Sequence, residues 1–287
     1  MENYKIPIGE YGEKLITFAH SNFKPLFTGF KFATESTVEI LDSLFLMLPS
    51  LAWTVIVAVV VWRLKGWGMA IFAIISFLLI DNQGFWNEMT LTASIVLTSA
   101  IFSLVVAFPL GILMAENEAV ELIGDAFLDF LITIPRFVIL VPAVLLLGIG
   151  IGPAVFATMT LAVAPPARII AVGIKHIDSH VVEAAEAFGA NRLQTLVKIK
   201  LPLALPSLVL AINQCLLMSL VMAVIAALIG AGGLGDTILM SIEILDAGSA
   251  FVAGFGVFAL AILLDRSMRS TVDRMSAASF QSADETR

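Results

Sequence analysis

Long apolar runs alternate with short charged segments along the chain. Seven runs are close to the roughly 17–25 residues that an α-helix needs to cross about 30 Å of hydrocarbon. They are Leu44–Trp62, Gly66–Ile80, Leu91–Ala115, Ala126–Gly148, Pro153–Ile174, Leu205–Ile229 and Gly248–Leu264. Inside a bilayer every backbone amide must be satisfied within its own element, so these runs predict helices rather than open strands. The pattern therefore predicts an all-α integral membrane protein with about seven transmembrane helices.

The basic residues between the runs predict the orientation of the chain. Lys and Arg cluster after the first run, between the fifth and sixth runs, and after the seventh run. The alternate loops contain neither residue; they are Asp81–Thr90, Ile149–Gly152 and Gly230–Ala247. Because cytoplasmic loops carry the excess of Lys and Arg, we expect the N-terminus outside and the C-terminus inside. The segment Glu116–Asp125 is acidic although it falls on the predicted cytoplasmic side, but acidic residues contribute little to this bias.

The pattern divides the chain into four regions. Residues 1–42 mix aromatic and charged positions, which is typical of a segment that lies on the outer interface and packs on the bundle; a poorly ordered tail is the alternative. Residues 43–89 hold two accessory transmembrane helices. Residues 90–265 form the transmembrane core with a long cytoplasmic loop at residues 175–202, and residues 266–287 form a cytoplasmic tail.

The composition excludes several classes of function. Hydrophobic residues make up 59% of the chain and charged residues 14%, and the mean hydropathy is +0.99, a surplus that no single soluble core can hide. The net charge of -7 gives no electrostatic footprint for nucleic acid. The lone Cys215 excludes an intrachain disulfide and forms no Cys–His metal-ligand pattern with the three histidines, so we expect no metal site. No catalytic set of side chains converges, so we expect a chain that performs no bond chemistry.

The loop at residues 175–202 carries the most specific local pattern. Asp178 or Ser179 can cap a helix, and Glu183 and Glu186 fall near its positive end. The alanines that follow Glu183 favour a helix and add little bulk, so another backbone can approach closely.

The end of this helix is also marked. Gly189 is placed to stop it at a left-handed cap, and Phe188 adds one large apolar side chain just before that cap. A second short helix over Arg192–Ile199 would then precede the sixth run. Such a helix suits a groove on a partner protein, whereas the alternative is an ordinary connection between two membrane helices.

Six positions of the loop match one pattern together: Glu183, Ala184, Ala185, Gly189, Leu201 and Pro202. This pattern resembles the EAA signature of the permease subunits of ABC importers, at its usual spacing. In that family the loop forms a coupling helix that docks on a separate ATP-hydrolysing subunit. The resemblance therefore implies that these six residues couple the chain to such a subunit, and we expect Phe188 to contribute an apolar plug beside them.

The resemblance extends over roughly Asn87 to Arg266. Within it, several stretches are similar to the glycine betaine/proline branch of these permeases, which carries quaternary ammonium or related osmolytes, including choline and trimethylamine N-oxide. They are Ile134–Pro142, Leu203–Ser207, Asn213-Gln214, Gly230–Gly235 and Leu263–Arg266. Arg136 departs from that branch, in which we expect a small residue.

The resemblance also implies how the chain works. It implies a fold like that of type I ABC importer permeases, a dimer of two identical chains in the bacterial inner membrane, and an external substrate-binding protein that selects the solute. No P-loop sequence occurs in the chain, so ATP and Mg²⁺ would bind to the partner subunit and this chain would hold no cofactor.

Four residues are candidates for the translocation path or its gate. Asn213, Gln214 and Met218 lie in the sixth run, where hydrogen bonding between helices is the alternative role of the two amides. Arg136 is a basic residue near the middle of the fourth predicted run, and a charge there must face a cavity, find a partner such as Asp129, or snorkel to the interface.

Three other functions compete with the osmolyte importer. The first is an ABC importer permease for a different small solute, such as an amino acid. The second is a secondary transporter driven by an ion gradient, which would need buried acidic residues near the middle of several spans. The third is an intramembrane enzyme, for which we find no convergent catalytic set.

Overall fold

The computed structural model describes residues 8–284, and every regular element in that range is helical. The first seven residues of the predicted N-terminal segment and the last three of the predicted tail lie outside the described residues. The prediction of an all-α fold is confirmed.

Within the described range, four helical stretches are long and apolar enough to cross a membrane: Trp86–Glu116, Ile151–Lys175, Leu205–Ile229 and Ala247–Ser270. They correspond to the predicted third, fifth, sixth and seventh spans. The pair Lys24–Leu46 and Ser50–Lys65 makes a fifth if it is counted as one span, although it bends by 93°. The predicted count of seven spans therefore stays a prediction.

The N-terminal segment is helical and packs on the bundle. It contains α1 (Ile8–Asn22) and α2 (Lys24–Leu46). On α2, the Phe30 ring meets the rings of Phe102 and Phe156 edge to face, with centroids 5.7 Å apart in each pair. The Lys31 ammonium donates a hydrogen bond of 3.0 Å to the carbonyl of Leu147. The location of this segment at the outer interface stays a prediction.

A hairpin of two short helices follows, formed by α3 (Ser50–Lys65) and α4 (Trp67–Asn82). Gly66 alone joins them, with a φ of 89° that favours glycine. The predicted first span, Leu44–Trp62, is wrong at its start, because α2 ends at Leu46 and the chain turns before α3. Pro49 explains this turn, since proline cannot donate a backbone hydrogen bond and biases the preceding residue away from the helical region.

The core begins with α5 (Trp86–Glu116), followed by α6 (Glu118–Thr133), α7 (Leu140–Leu147), α8 (Ile151–Ala162) and α9 (Ala164–Lys175). Helices α8 and α9 continue as one span across the paired prolines at 165 and 166. Asn117 caps α6, because its side-chain oxygen accepts hydrogen bonds from the amides of Ala119 and Val120.

The predicted fourth span, Ala126–Gly148, is not one continuous helix. Helix α6 ends at Thr133 and α7 begins only at Leu140, so residues 134–139 form a non-helical segment that we call the break. Ile134 is extended, with a ψ of 132°, and Pro135 follows it. A proline lacks the amide that would continue the ladder, and it disfavours a helical residue before it.

The C-terminal part supplies the central helix of the bundle. The short α10–α12 region described below leads into α13 (Leu205–Ile225), which packs against α5, α8, α9 and α15. Helix α15 spans Ala247–Asp284 and extends well beyond the predicted seventh span. The predicted loop Gly230–Ala247 contains a further helix, α14 (Gly233–Glu243), which the apolar pattern did not indicate. The Leu234 amide at its start donates a 2.8 Å hydrogen bond to the Thr92 hydroxyl.

Close backbone approach joins α5 to α9. A Cβ atom added at Gly111 would lie 2.6 Å from the Ala167 carbonyl oxygen and 2.8 Å from the Ile170 Cβ. Small residues permit such contact between membrane helices. Because α9 leads into the 175–202 loop, this contact fixes the base of that loop.

We expect Gly111→Ala to destabilise the protein by about 1–3 kcal/mol, since the added methyl group meets backbone that cannot move aside. Gly29→Ala is the matched control, because no atom lies within 4 Å of its added Cβ. Thermal unfolding in detergent checks both variants. Equal melting temperatures for the two variants would contradict the close α5–α9 contact.

Candidate functional site

The 175–202 loop begins with a capped helix, α10 (Ser179–Ala187). The Asp178 carboxylate accepts a 2.9 Å hydrogen bond from the His180 amide, so Asp178 is the cap. Glu183, Ala184 and Ala185 lie on this helix, of which no residue is buried. The predicted helix is therefore present and projects from the bundle.

Gly189 ends α10 in a left-handed conformation, with a φ of 85°. The Gly189 amide donates to the Glu186 carbonyl at 2.9 Å, and the Ala190 amide donates to the Ala185 carbonyl at 3.0 Å. These two bonds form a Schellman motif, which satisfies carbonyl groups that the helix end would leave free. The motif fixes the direction in which the preceding residue, Phe188, points away from the helix.

A second capped turn follows at once. Asn191 and Gln194 exchange side-chain and backbone hydrogen bonds of 2.9 and 3.0 Å, which is a capping box at the start of α11 (Arg192–Thr195). The predicted second helix, Arg192–Ile199, is correct in extent, but its second half is a π-helical turn, Leu196–Lys200. The short α12 (Leu201–Leu203) then contains Pro202, whose missing amide explains the altered hydrogen-bond pattern just before it.

The tip of the loop exposes an apolar side chain. Phe188 is 94% exposed, the largest fraction among the exposed large hydrophobic residues of the described chain. A shallow open groove lies beside it, and its lining is Ala185, Phe188, Gly189, Ala190, Gln194, Lys198 and Ile199. Leu201 is half-buried and packs on the apolar cluster that contains Ile174 and Leu208. The loop thus has an anchored base and an uncovered apolar tip.

Ion pairs tie this loop and its flanks to the acidic segment at 116–129. The Lys200 ammonium contacts the Glu116 carboxylate, and Lys175 contacts Glu121. Deeper in the bundle, the Arg168 guanidinium lies 3.2 Å from an Asp125 carboxylate oxygen and 2.8 Å from one of Asp129. The acidic segment that disagreed with the charge bias is therefore the counter-charge of the basic residues around the loop. Each exposed pair contributes little alone, about 0.2–1 kcal/mol.

The candidate path residues of α13 occupy different environments. Asn213 is 1% exposed, and its side-chain amide donates a 2.9 Å hydrogen bond to the Asp265 carboxylate on α15. Its own amide oxygen has no hydrogen-bond partner among the described residues. Gln214 and Met218 are half-buried. The structure thus gives Asn213 a contact between helices, and a path-lining role for the three residues stays a prediction.

Arg136 does not lie in a helix. It is exposed within the break, together with Phe137 and Val138, and no described residue forms an ion pair with it. The expected pairing with Asp129 is wrong, because Asp129 contacts Arg168 instead.

Sequence reasoning missed several residues of this region. The capping pair Asn191 and Gln194 follows the local rule for helix starts and could have been found from its spacing. The acidic residues at 116–129 had a signal as well, since their charge was unusual for the predicted side of the membrane. No sequence signal indicated Asp265, because only the packing of α13 on α15 brings its carboxylate to Asn213.

Comparisons with known proteins agree with this architecture. Residues 107–277 match the family model of the binding-protein-dependent transport system inner membrane component. The chain is 36% identical over 261 residues to the glycine betaine/proline betaine transport system permease protein ProW of Escherichia coli, covering 91% of this chain and 74% of that protein. It is also 36% identical to the glycine betaine transport system permease protein OpuAB of Bacillus subtilis, and this match covers 91% of this chain and 93% of that protein.

The fold also has solved counterparts. An inward-facing structure of the MetNI methionine ABC transporter superposes with a TM-score of 0.60 at 24% sequence identity, covering 67% of this chain and 94% of that chain. This likeness concerns the fold alone. Together, the helical core, the capped loop and the family match show that this chain is a permease of the binding-protein-dependent transport system inner membrane component family.

Proposed function

We propose that the chain is the membrane-spanning subunit of an ATP-driven importer in the bacterial inner membrane, with its N-terminus outside and its C-terminus inside. Two identical copies would surround one path, and ATP with Mg²⁺ would bind to a separate subunit. The observation that carries this proposal is the uncovered apolar tip of a rigidly capped helix, α10 with Phe188. An exposed aromatic residue beside a groove is the arrangement that a docking partner buries.

The same geometry supports a coupling role for the loop. Glu183, Ala184, Ala185, Gly189 and Pro202 present a helix with small side chains, so the backbone of an ATPase can approach closely. The ion pairs from Lys175, Lys200 and Arg168 bind the base of the loop to α5 and α6. A push on α10 is therefore passed to the transmembrane helices as rigid-body movement, which opens the path to one side at a time.

The solute we propose is a small osmolyte of the glycine betaine, choline, proline or trimethylamine N-oxide type. Two relatives named above are permeases for glycine betaine, and a permease named for trimethylamine N-oxide from Pelagibacter ubique is 35% identical over 76% of this chain. We expect an external binding protein to deliver the solute. Arg136, Asn213, Gln214 and Met218 are the residues that we assign to the path or its gate.

Transport into proteoliposomes tests this function. The vesicles would contain the chain with its ATPase, and the binding protein and labelled solute would be added on the opposite face. We expect uptake of glycine betaine that requires both ATP and the binding protein. Uptake that follows an imposed ion gradient without ATP would contradict the importer and favour a secondary transporter. ATP-dependent uptake that is confined to amino acids other than proline would contradict the osmolyte.

We expect Phe188→Asp to weaken binding of the ATPase subunit by at least about 30-fold, since buried aromatic anchors contribute about 2 kcal/mol or more. Phe188→Leu is the control, because it keeps an apolar side chain at the tip. Affinity between detergent-solubilised permease and ATPase measures the effect. If Phe188→Asp binds as tightly as the unchanged chain, α10 is not the docking element.

We expect Lys200→Glu to loosen the base of the loop, because it places an acidic residue against Glu116. The charge swap Lys200→Glu with Glu116→Lys should restore the contact. Hydrogen exchange of the amides in residues 178–203 measures the opening, which we expect to rise by a few-fold for a change of about 1 kcal/mol. Equal exchange in the single and double variants would show that the pair does not hold the loop.

A further inference from the structure

The break at residues 134–139 lies inside the membrane-spanning part of the bundle. Ile134 and Ile139, at its two ends, pack on an apolar cluster that also includes Met159 of α8, and Ile139 packs on a second cluster with Phe156 of α8. Met159 is eight residues from the start of the span Ile151–Lys175 and sixteen from its end, or about 12 Å and about 24 Å along the helix axis. The break is therefore at the depth of hydrocarbon rather than at a membrane surface.

Three backbone amides of the break find no acceptor among the described residues. The amides of Ile134, Val138 and Leu140 donate to backbone carbonyls, but no described residue accepts a hydrogen bond from the amides of Arg136, Phe137 or Ile139. Unpaired backbone groups in hydrocarbon each cost several kcal/mol. Non-helical backbone at this depth is tolerated only where it is buried in protein or lines a water-filled cavity.

The Arg136 side chain adds a charge to the same surface. It is exposed, and the neighbouring acidic groups of Asp125 and Asp129 are both engaged by Arg168. Helix α6 places about 24 Å between its start at Glu118 and its end at Thr133, so Arg136 cannot snorkel to that end of the bundle. Helix α7 separates it from the other end by eight residues, or about 12 Å, so a guanidinium at this position requires water, a partner chain or extension of its side chain toward that end.

We propose that the break lines the translocation path, opposite its counterpart in the second copy, and that Arg136 makes this path selective for solutes that carry a carboxylate. This inference rests on the proposed function and narrows its substrate class. Two guanidinium groups facing one path raise its positive potential, so a net cation such as choline is repelled. A betaine has no net charge, and its carboxylate can accept charge-assisted hydrogen bonds from Arg136 and from the free amides of the break.

The first measurement locates the break and does not depend on transport. Arg136→Cys is made with Cys215→Ser, which removes the single native cysteine. The protein in vesicles then reacts with a water-soluble, charged thiol reagent. The control is Ile75→Cys in the same background, because Ile75 is an exposed apolar residue of the short helix α4. We expect the thiol of the Arg136→Cys variant to react at least about tenfold faster than the thiol of the Ile75→Cys variant. Equal slow reaction in both variants would overturn the placement of the break on the path.

The second measurement tests selectivity in the reconstituted importer. ATP-driven uptake of glycine betaine and of choline is compared at equal measured occupancy of the binding protein. We expect Arg136→Ala to lower the ratio of betaine to choline uptake by about tenfold, and Arg136→Lys to keep most of it because the charge remains. An unchanged ratio in Arg136→Ala would overturn the proposal. No ATP-dependent uptake of any solute by the unchanged chain would instead refute the proposed function, and the thiol reaction would still locate the break.

Discussion

The constraint on which this structure depends is that hydrocarbon offers no hydrogen bonds to a polypeptide backbone. Membrane-spanning segments must therefore satisfy their own amides and carbonyls, and helices do so within each segment. The central helix α13 and its neighbours α5, α8, α9 and α15 obey this rule, and small residues such as Gly111 let them approach closely. The same constraint applies to the break, because non-helical backbone in hydrocarbon requires water or a protein partner. The lack of hydrogen-bond partners in hydrocarbon therefore explains why the spans are helical and why the break needs other partners.

The end of the bundle that carries the 175–202 loop depends on a different interaction. There, basic residues on α9 and at the end of the loop face acidic residues on α5 and α6, and the pairs connect three separate parts of the chain. Single exposed pairs contribute little, but together they restrict how the loop can move relative to the helices. Helix α10 is capped at both ends, so its tip and its base move as one unit. This combination suits a loop that transmits force.

The sequence was most informative where a local rule decides the structure. Apolar length predicted the spans of α5, α8–α9, α13 and α15, and capping chemistry predicted both ends of α10. Sequence-based prediction failed where two local rules applied to the same apolar run. The apolar stretch Ala126–Gly148 is long enough for a span, but Pro135 divides it. A proline in a membrane helix can also leave the helix continuous, as Pro109 does within α5.

Other features of the site could not be predicted because they depend on tertiary packing. The hydrogen bond from Asn213 to Asp265 joins residues 52 positions apart, and Arg168 reaches Asp129 across 39 positions. No periodicity within either helix indicates which partner it meets. The packing of the break beside α8 also could not be predicted, since it depends on how α7 folds against α8. The charge bias gave a partial signal for the acidic segment. Acidic residues on the side where basic residues were expected indicated that these carboxylates could pair with the basic residues of the loop.

The claim at the centre of this account is that α10 docks on a separate ATPase through its exposed tip. Phe188→Cys in a Cys215→Ser background would carry one thiol, placed at a residue that is 94% exposed in the protomer. Its rate of reaction with a maleimide is measured before and after the ATPase subunit is added. We predict a decrease of at least about tenfold when the complex forms, since a buried position excludes solvent. An unchanged rate in a complex that is shown to have formed would contradict it.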